Sequence, residues 1–592
     1  MAVPGSSPDY PKDYFRSPLG IPLKLSGNFA EMRDNHFHGG LDLKTNDSEG
    51  YRVYAAANGY ISRVKISPTG YGNALYVAHP NGFTTVYAHL SRLSGPIADY
   101  LRRLQESRKS FEIDQYLGAD RFPVEQGGVI ALSGNSGSSS GPHLHFEIRK
   151  TSGQIPVNPL LFGLNVADTT PPRIYRIRLY ALDDDSGVRA VTANGDESAA
   201  GKHSHVTLDV SESGGALSVE ARSLEAWGNI GLGIQAHDYH DGSGSRLGAY
   251  TISLSAEGTP VFKSKMEQVS FDETRFINAH VDYAERKRAR RWIQRSYLLP
   301  GNDLTIYEAA NRGVLNLIAG TRLPLTYVVE DAHGNRARLS FAIDGIEAAT
   351  GETDLTTAAL DGSGARGSGA AAGGGTNGGR RALEVVPVRY SQPMVIRQDG
   401  IEAAFPARAF YDDLEFEYSV ESAPPGAYSP AHVLHNDHVP VHKRYDLSIT
   451  PLKLPTALRT KALIASVDED GKLSSTGGSY EAGAVKTRLR SLGKFVVVVD
   501  TLAPTITSLD IVDGQRLGRT QTLHFRIDDD LAGISTYDGF IDGLWVLFAY
   551  DAKKKLIYHE LDAGLAPGSH EVVIEVADQK GNSEVVALGF RK

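Results

Sequence analysis

Valine, isoleucine, threonine and tyrosine recur along this chain in short alternating runs, each soon broken by Gly, Pro, Asn or Asp. Alternation sends successive side chains to opposite faces of an extended chain, so such runs form half-buried strands and the breaks form turns. The pattern predicts a mostly-β protein of many short strands. At 592 residues the chain is far longer than a single core can serve, and several domains are expected. The formal net charge of -9 is modest for this size and gives no reason to expect a polyanionic partner or nucleic acid. The longest basic cluster, ERKRARR (Glu285 to Arg291), reads as a solvated helix face. There is no cysteine, which excludes thiolate metal sites and disulfides and leaves His, Asp and Glu as metal ligands. No apolar run is long enough to span a bilayer, and the opening MAVPGSSPDYPKDY carries no apolar export segment.

Two echoes divide the chain. Asp168-Thr-Thr-Pro-Pro resembles Asp500-Thr-Leu-Ala-Pro, and VVEDAHGNRARLSFAI (from Val328) resembles EVADQKGNSEVVALGF (from Glu575). The second pair reads as strand, Asp-x-x-Gly-Asn turn, strand, which is hairpin chemistry. Between the repeated units, GSGARGSGAAAGGGTNGG (362–379) cannot bury a core. The expected organisation is an N-terminal domain over 1–165 and a β-sandwich over 166–347. A Gly/Ala/Ser-rich linker or disordered loop over 348–384 follows, then a β-rich domain over 385–499 and a second sandwich over 500–592. The sandwiches resemble immunoglobulin-like accessory domains of bacterial surface and envelope proteins. No chemistry is read in this β-rich tail, which looks built for positioning or binding.

The N-terminal 165 residues are different. NHFHGGLDLKT holds His36, His38 and Asp42 beside a diglycine; GFTTVYAHL ends near His89; and GNSGSSSGPHLHFEIRK carries His143 and His145. In extended chain, alternate residues share a face, so His143 and His145 point the same way. His38 and Asp42, four apart, also align in extended chain, and the diglycine argues against a helix there. Two facing β segments can then offer His, Asp and His to one metal. Two neutral imidazoles and one carboxylate leave a zinc ion a residual charge near +1, which lowers the pKa of a bound water from about 16 toward about 7. Histidines that do not bind the metal can move a proton or meet a developing oxyanion. EGYRVYAAANGYISRVKI and GYGNALYVAHPNG read as two hairpins.

The order and spacing of His38-x-x-x-Asp42, Tyr87-x-His89-Leu90 and SGPHLHFE (Ser140 to Glu147) resemble the zinc endopeptidase domain of the lysostaphin/LytM type, which cuts peptide cross-links in bacterial cell wall. The likeness covers residues of about 15 to 165. It implies a small antiparallel β-barrel-like fold with a groove over Zn2+, and metal ligands His38, Asp42 and His145. It implies His89 and His143 as the catalytic pair, one the general base and the other the oxyanion partner. The glycine-rich GNSGSSSG would form one groove wall against an extended peptide. The implied function is hydrolysis of cross-links or stem peptides of peptidoglycan through a metal-activated water. The implied location is the cell envelope, periplasmic or extracellular, with an envelope protein as a further partner for the tail. The alternative is a non-catalytic envelope protein that binds wall peptides and recruits or activates a partner hydrolase.

His36 is an extra candidate, but the spacing to Asp42 favours His38. An insertion after Leu90, PIADYLRRLQESRKSFEIDQYL, places Ile97, Tyr100, Leu101 and Leu104 on one helix face; it either flanks the groove or simply packs on the barrel. Elsewhere, His203 and His205 are expected as exposed strand residues. His432, His435, His438 and His442 are expected on a polar loop and strand edge, and His237 and His240 in a turn.

Overall fold

A computed structural model describes residues 10–348 and 384–592, apart from 193–194, 196, 202–203, 519–520 and 563. The expected linker over 348–384 falls almost wholly outside the described residues. The chain is mostly β, as the alternation requires.

The N-terminal part is built on one antiparallel sheet. Its main path runs Leu25–Gly27, Leu41–Lys44, His143–Lys150, Phe83–Ala88, Ala74–Ala78, Gly59–Ile66, Ile113–Tyr116. A small sheet of Arg52–Tyr54, Val129–Leu132 and Arg92–Leu93 closes over it, and both share a core that includes Leu25, Leu43, Val77, Tyr87, Leu144 and Phe146. Of the two expected hairpins, the one around Asn81-Gly82 forms, joining Ala74–Ala78 to Phe83–Ala88. The Asn58-Gly59 turn does not join paired strands. Arg52–Tyr54 pairs with Val129–Leu132 instead, because burying Val53 and Ala55 in the core turns that strand out of the main sheet. The insertion after Leu90 begins with the helix Pro96–Arg108, with Ile97 and Leu101 buried and Tyr100 and Leu104 packed on the core, and ends in the sheet strand Ile113–Tyr116. It covers the barrel.

The next unit is a sheet of thirteen strands, held together by Ala221–His237. That strand spans seventeen residues. Its first half pairs with Gly187–Thr192 and its second with Arg173–Ala181, so the two layers expected of a sandwich run into one another. ERKRARR lies on the helix Tyr283–Ala289 and just beyond it. The later units are pairs of sheets with six and five strands, then four and five. Asp331–Asn335 and Asp578–Asn582 are the turns of antiparallel hairpins.

The units are not separate beads. Phe29, Met32 and Phe37 of the N-terminal part share a core with Phe276, Ile277 and Leu304 of the second unit and Tyr411 of the third. Leu247 of the second unit is buried in the N-terminal core.

Candidate metal centre

Register assembles the site. Asp42 on Leu41–Lys44 stands directly opposite His145 on His143–Lys150, and opposed residues of neighbouring strands carry their side chains on one face about 5 Å apart. His143, two residues earlier, shares that face. On the other flank Ala88 is the partner of His145, and the next residue, His89, takes a left-handed φ of 58°. His38 enters from the loop before Leu41–Lys44. The diglycine is what lets that loop lie against the sheet: a Cβ at Gly40 would stand 2.3 Å from the Phe146 carbonyl oxygen.

Three atoms form a triangle. His38 Nε2 lies 3.0 Å from Asp42 Oδ1, His145 Nδ1 lies 2.9 Å from the same oxygen, and the two nitrogens are 2.9 Å apart. All three residues are buried. The other nitrogen of each ring is already committed. His38 Nδ1 donates to the Asn28 carbonyl at 2.8 Å, and His145 Nε2 donates to Glu147 Oε1 at 2.8 Å. In the neutral rings, both nitrogens of the triangle therefore present lone pairs to each other and to a carboxylate. Such a set repels itself unless a proton on one ring or a metal ion lies among its members, and two imidazoles with one carboxylate suit zinc. An ion with bonds of about 2.0–2.1 Å in tetrahedral array separates its ligands by about 3.4 Å, a few tenths more than the distances here. The residues fit the metal.

Glu147 completes the setting. It is fully buried, accepts from Arg149 and from the Tyr71 hydroxyl, and orients His145, the carboxylate–histidine arrangement that fixes a metal ligand's tautomer. Burial would raise its pKa, but Arg149 and His145 hold it below the usual range. Burial likewise opposes charge on Asp42, yet its histidine neighbours keep it well below the carboxylate norm. For His145 burial disfavours the cation, and hydrogen bonds to Asp42 and Glu147 overcome it, raising the group to about 9.

His143 and His89 flank the triangle. His143 Nδ1 donates to the Gly141 carbonyl at 2.9 Å, leaving Nε2 3.2 Å from Asp42 Oδ1. His89 Nδ1 donates to the Ser136 carbonyl at 2.9 Å, and its ring centroid is 4.8 Å from that of His143. Burial, then the neighbouring His145 and His143, push the His89 pKa down to about 3; it is a neutral base. His36 is exposed, contacts the Asp34 carbonyl, and stays outside the triangle at the rim.

These residues face a groove of about 850 Å³. Ser138 to Gly141 form one wall. The glycine at 137 answers to a neighbouring loop, not to open groove: a Cβ there would stand 2.4 Å from Gly72 N. The opposite end includes Phe271 and Thr274 of the second unit, where the sequence offered no sign of chemistry. Thr274 Oγ1 accepts from Phe37 N at 2.7 Å, and Phe271 lies 4.6 Å from the Arg149 guanidinium. The role of Glu147 was accessible from sequence, since it lies two residues beyond His145 on the same face. That of Phe271 was not.

Of the other histidines, His205 is exposed, and His203 lies outside the described residues. His432 is buried against the Tyr418 hydroxyl and His442 stacks on Phe276 at 4.3 Å; the expected polar edge is there partly a packed interior. His240, expected in a turn, is buried among carboxylates, because the loop that carries it is covered by the connector at Asp168.

A carboxylate and two imidazoles converging on one point beside a groove form a donor set that suits a zinc-class ion. Residues 36–102 match Peptidase family M23, and residues 386–500 match a Zu5-like domain. The DD-carboxypeptidase/endopeptidase Mpg of Neisseria meningitidis is 35% identical over 133 residues, covering 22% of this chain and 24% of that protein. The peptidoglycan DD-endopeptidase ShyA of Vibrio cholerae is 27% identical over 164 residues, covering 27% of this chain and 32% of that protein. Among solved structures, the catalytic domain of lysostaphin from Staphylococcus simulans is 24% identical, over 24% of this chain and 88% of that one, with a TM-score of 0.17. The chain thus spans about a quarter to a third of the length of these curated relatives. The N-terminal part of the chain is similar, over residues 36–102, to Peptidase family M23.

Proposed function

We propose that the N-terminal domain is a zinc-dependent endopeptidase that hydrolyses peptide cross-links or stem peptides of bacterial peptidoglycan. The observation that carries this reading is the buried triangle of His38 Nε2, Asp42 Oδ1 and His145 Nδ1 facing a groove of about 850 Å³. Its support in relatives is the peptidoglycan DD-endopeptidase named above. Zinc held by His38, Asp42 and His145 supplies Lewis acidity, polarising a peptide carbonyl and easing the deprotonation of water.

The protein does the rest. Asn28 and Glu147 fix the tautomers of His38 and His145, so that the right nitrogens face inward. His89 and His143 are each anchored through Nδ1 to a backbone carbonyl, which leaves the His143 Nε2 beside Asp42. Between them they take the proton from the attacking water, return it to the leaving amine and meet the developing oxyanion. Phe271 and the serine-rich wall bound the peptide on either side. A peptidoglycan substrate places the protein in the cell envelope.

Digestion of purified peptidoglycan tests this. The zinc-loaded protein is expected to release stem peptides, chelation to stop the release, and zinc to restore it. Release that is absent with zinc bound, or indifferent to chelation, refutes the enzyme.

A further inference from the structure

A second cluster lies at the base of the second unit. Asp168 sits in the connector before Arg173–Ala181, Asp238 and His240 follow Ala221–His237, and Asp331 and His333 form the turn after Arg322–Glu330. The side chains of Asp168, Asp238 and His240 are at most 2% exposed, whereas that of His333 is 26% exposed. His240 Nε2 is 3.5 Å from Asp168 Oδ2 and 3.4 Å from Asp238 Oδ2. His333 Nδ1 is 3.3 Å from Asp168 Oδ2.

These atoms are close but not hydrogen-bonded. Asp168 Oδ2, Asp238 Oδ1 and both ring nitrogens of His240 are buried with no hydrogen-bond partner. Leaving buried polar groups unpaired costs about 1–3 kcal/mol each, so the cluster needs an occupant or an explanation. An imidazolium paired with the carboxylates would draw to about 2.7–2.9 Å. The observed separations match instead the roughly 3.4 Å edge of a ligand tetrahedron around an ion with bonds of about 2.0–2.1 Å.

The C-terminal unit provides a contrast within the same chain. Asp500, Asp529 and Asp578 gather there in the same way, but Leu531 and Lys580 stand where the first cluster has His240 and His333. Its carboxylates have work in the fold: Asp578 Oδ1 accepts from Lys580 N and Asn582 N, as Asp331 Oδ1 accepts from His333 N and Asn335 N. Turn architecture thus accounts for aspartates at both places. It does not account for the two imidazoles, and nitrogen donors beside carboxylate select a zinc-class ion over calcium.

We propose that Asp168, His240 and His333, with Asp238 alongside, form a second zinc site that ties the connector, the Asp238 loop and the Asp331 turn together. Its role is structural, since it lies outside the groove. Metal content of the full chain tests it, measured after stripping and re-equilibration with buffered zinc. Two zinc ions per chain are expected in the wild type and one in His145→Ala. His333→Ala, a change at a partly exposed turn residue, is expected to retain only the groove ion, as is His240→Ala, and to lose the zinc-dependent rise in melting temperature that His145→Ala keeps. A single ion in the wild type that His145→Ala removes would overturn the site. So would a second ion that survives both His240→Ala and His333→Ala, or that calcium replaces at equal concentration.

Discussion

The residue on which the candidate centre turns is Glu147. It is buried with Arg149 and it, not a backbone group, fixes the tautomer of His145. Carboxylates that orient a metal-bound imidazole are worth about 10–100-fold in metal affinity. Glu147→Gln is therefore expected to weaken zinc binding by about that factor, read by competition with a metal indicator, while the sheet stays folded because Gln keeps most of the hydrogen bonds. The identities of the inward-facing side chains were legible in the sequence, because period-two alternation and His-x-His spacing determine which residues share a face. What spacing does not carry is the partner on the far nitrogen of each ring. Glu147 is local to His145 and so within reach of sequence reasoning; Asn28 and Ser136 are brought to His38 and His89 only by the folded loops.

At the scale of elements, the loop from Asp238 to Gly248 links the second unit to the centre. Asn28 Nδ2 donates to the Gly248 carbonyl at 2.7 Å, and Gly248 N donates to Asn28 Oδ1 at 2.8 Å, while the Asn28 carbonyl holds His38. Asn28→Ala leaves two buried backbone groups unpaired, at a cost of about 1–3 kcal/mol each. It is expected to lower both the unfolding free energy in urea and the affinity for zinc. The short helix Tyr283–Ala289 depends on a comparable device. Asp282 caps it by accepting from Glu285 N and accepts also from Arg178 and Tyr180. Burial would raise its pKa, but Arg295 and Arg178 hold the carboxyl below its ordinary value. Its folded-state pKa lies below the unfolded value of about 3.9, so its contribution is complete above that pH and fades as pH falls through the folded value. Asp282→Ala is expected to cost about 3–5 kcal/mol at pH 7 and progressively less below about pH 4, checked by denaturation across that range. The basic run flagged a helix face here; its aspartate cap and the buried arginine behind it lie more than a hundred residues apart in sequence and left no pattern to read.

At the scale of the whole molecule, the alternation of strands and the repeated Asp-x-x-Gly-Asn turns made the mostly-β architecture legible, and the motifs hold the residues that converge on the candidate centre. The packing of one unit on another was not, because Phe29, Met32 and Phe37 look in sequence like ordinary residues of a single core. They are instead covered by Phe276, Leu304 and Tyr411, and Lys553 of the last unit reaches the groove wall, donating to the Ser139 carbonyl at 3.0 Å. A chain truncated after residue 165 is expected to lose about 1.5–3 kcal/mol for each large apolar side chain uncovered and to melt lower and aggregate, as scanning calorimetry and light scattering would show. Residues of the tail thus share a core with the N-terminal domain and line its groove. The central claim, one zinc ion used by two histidines that do not hold it, is tested most directly by measuring zinc content and peptidoglycan turnover together in His143→Ala. The account predicts that the groove ion is retained and turnover is lost; an emptied site, or turnover at the wild-type rate, would contradict it.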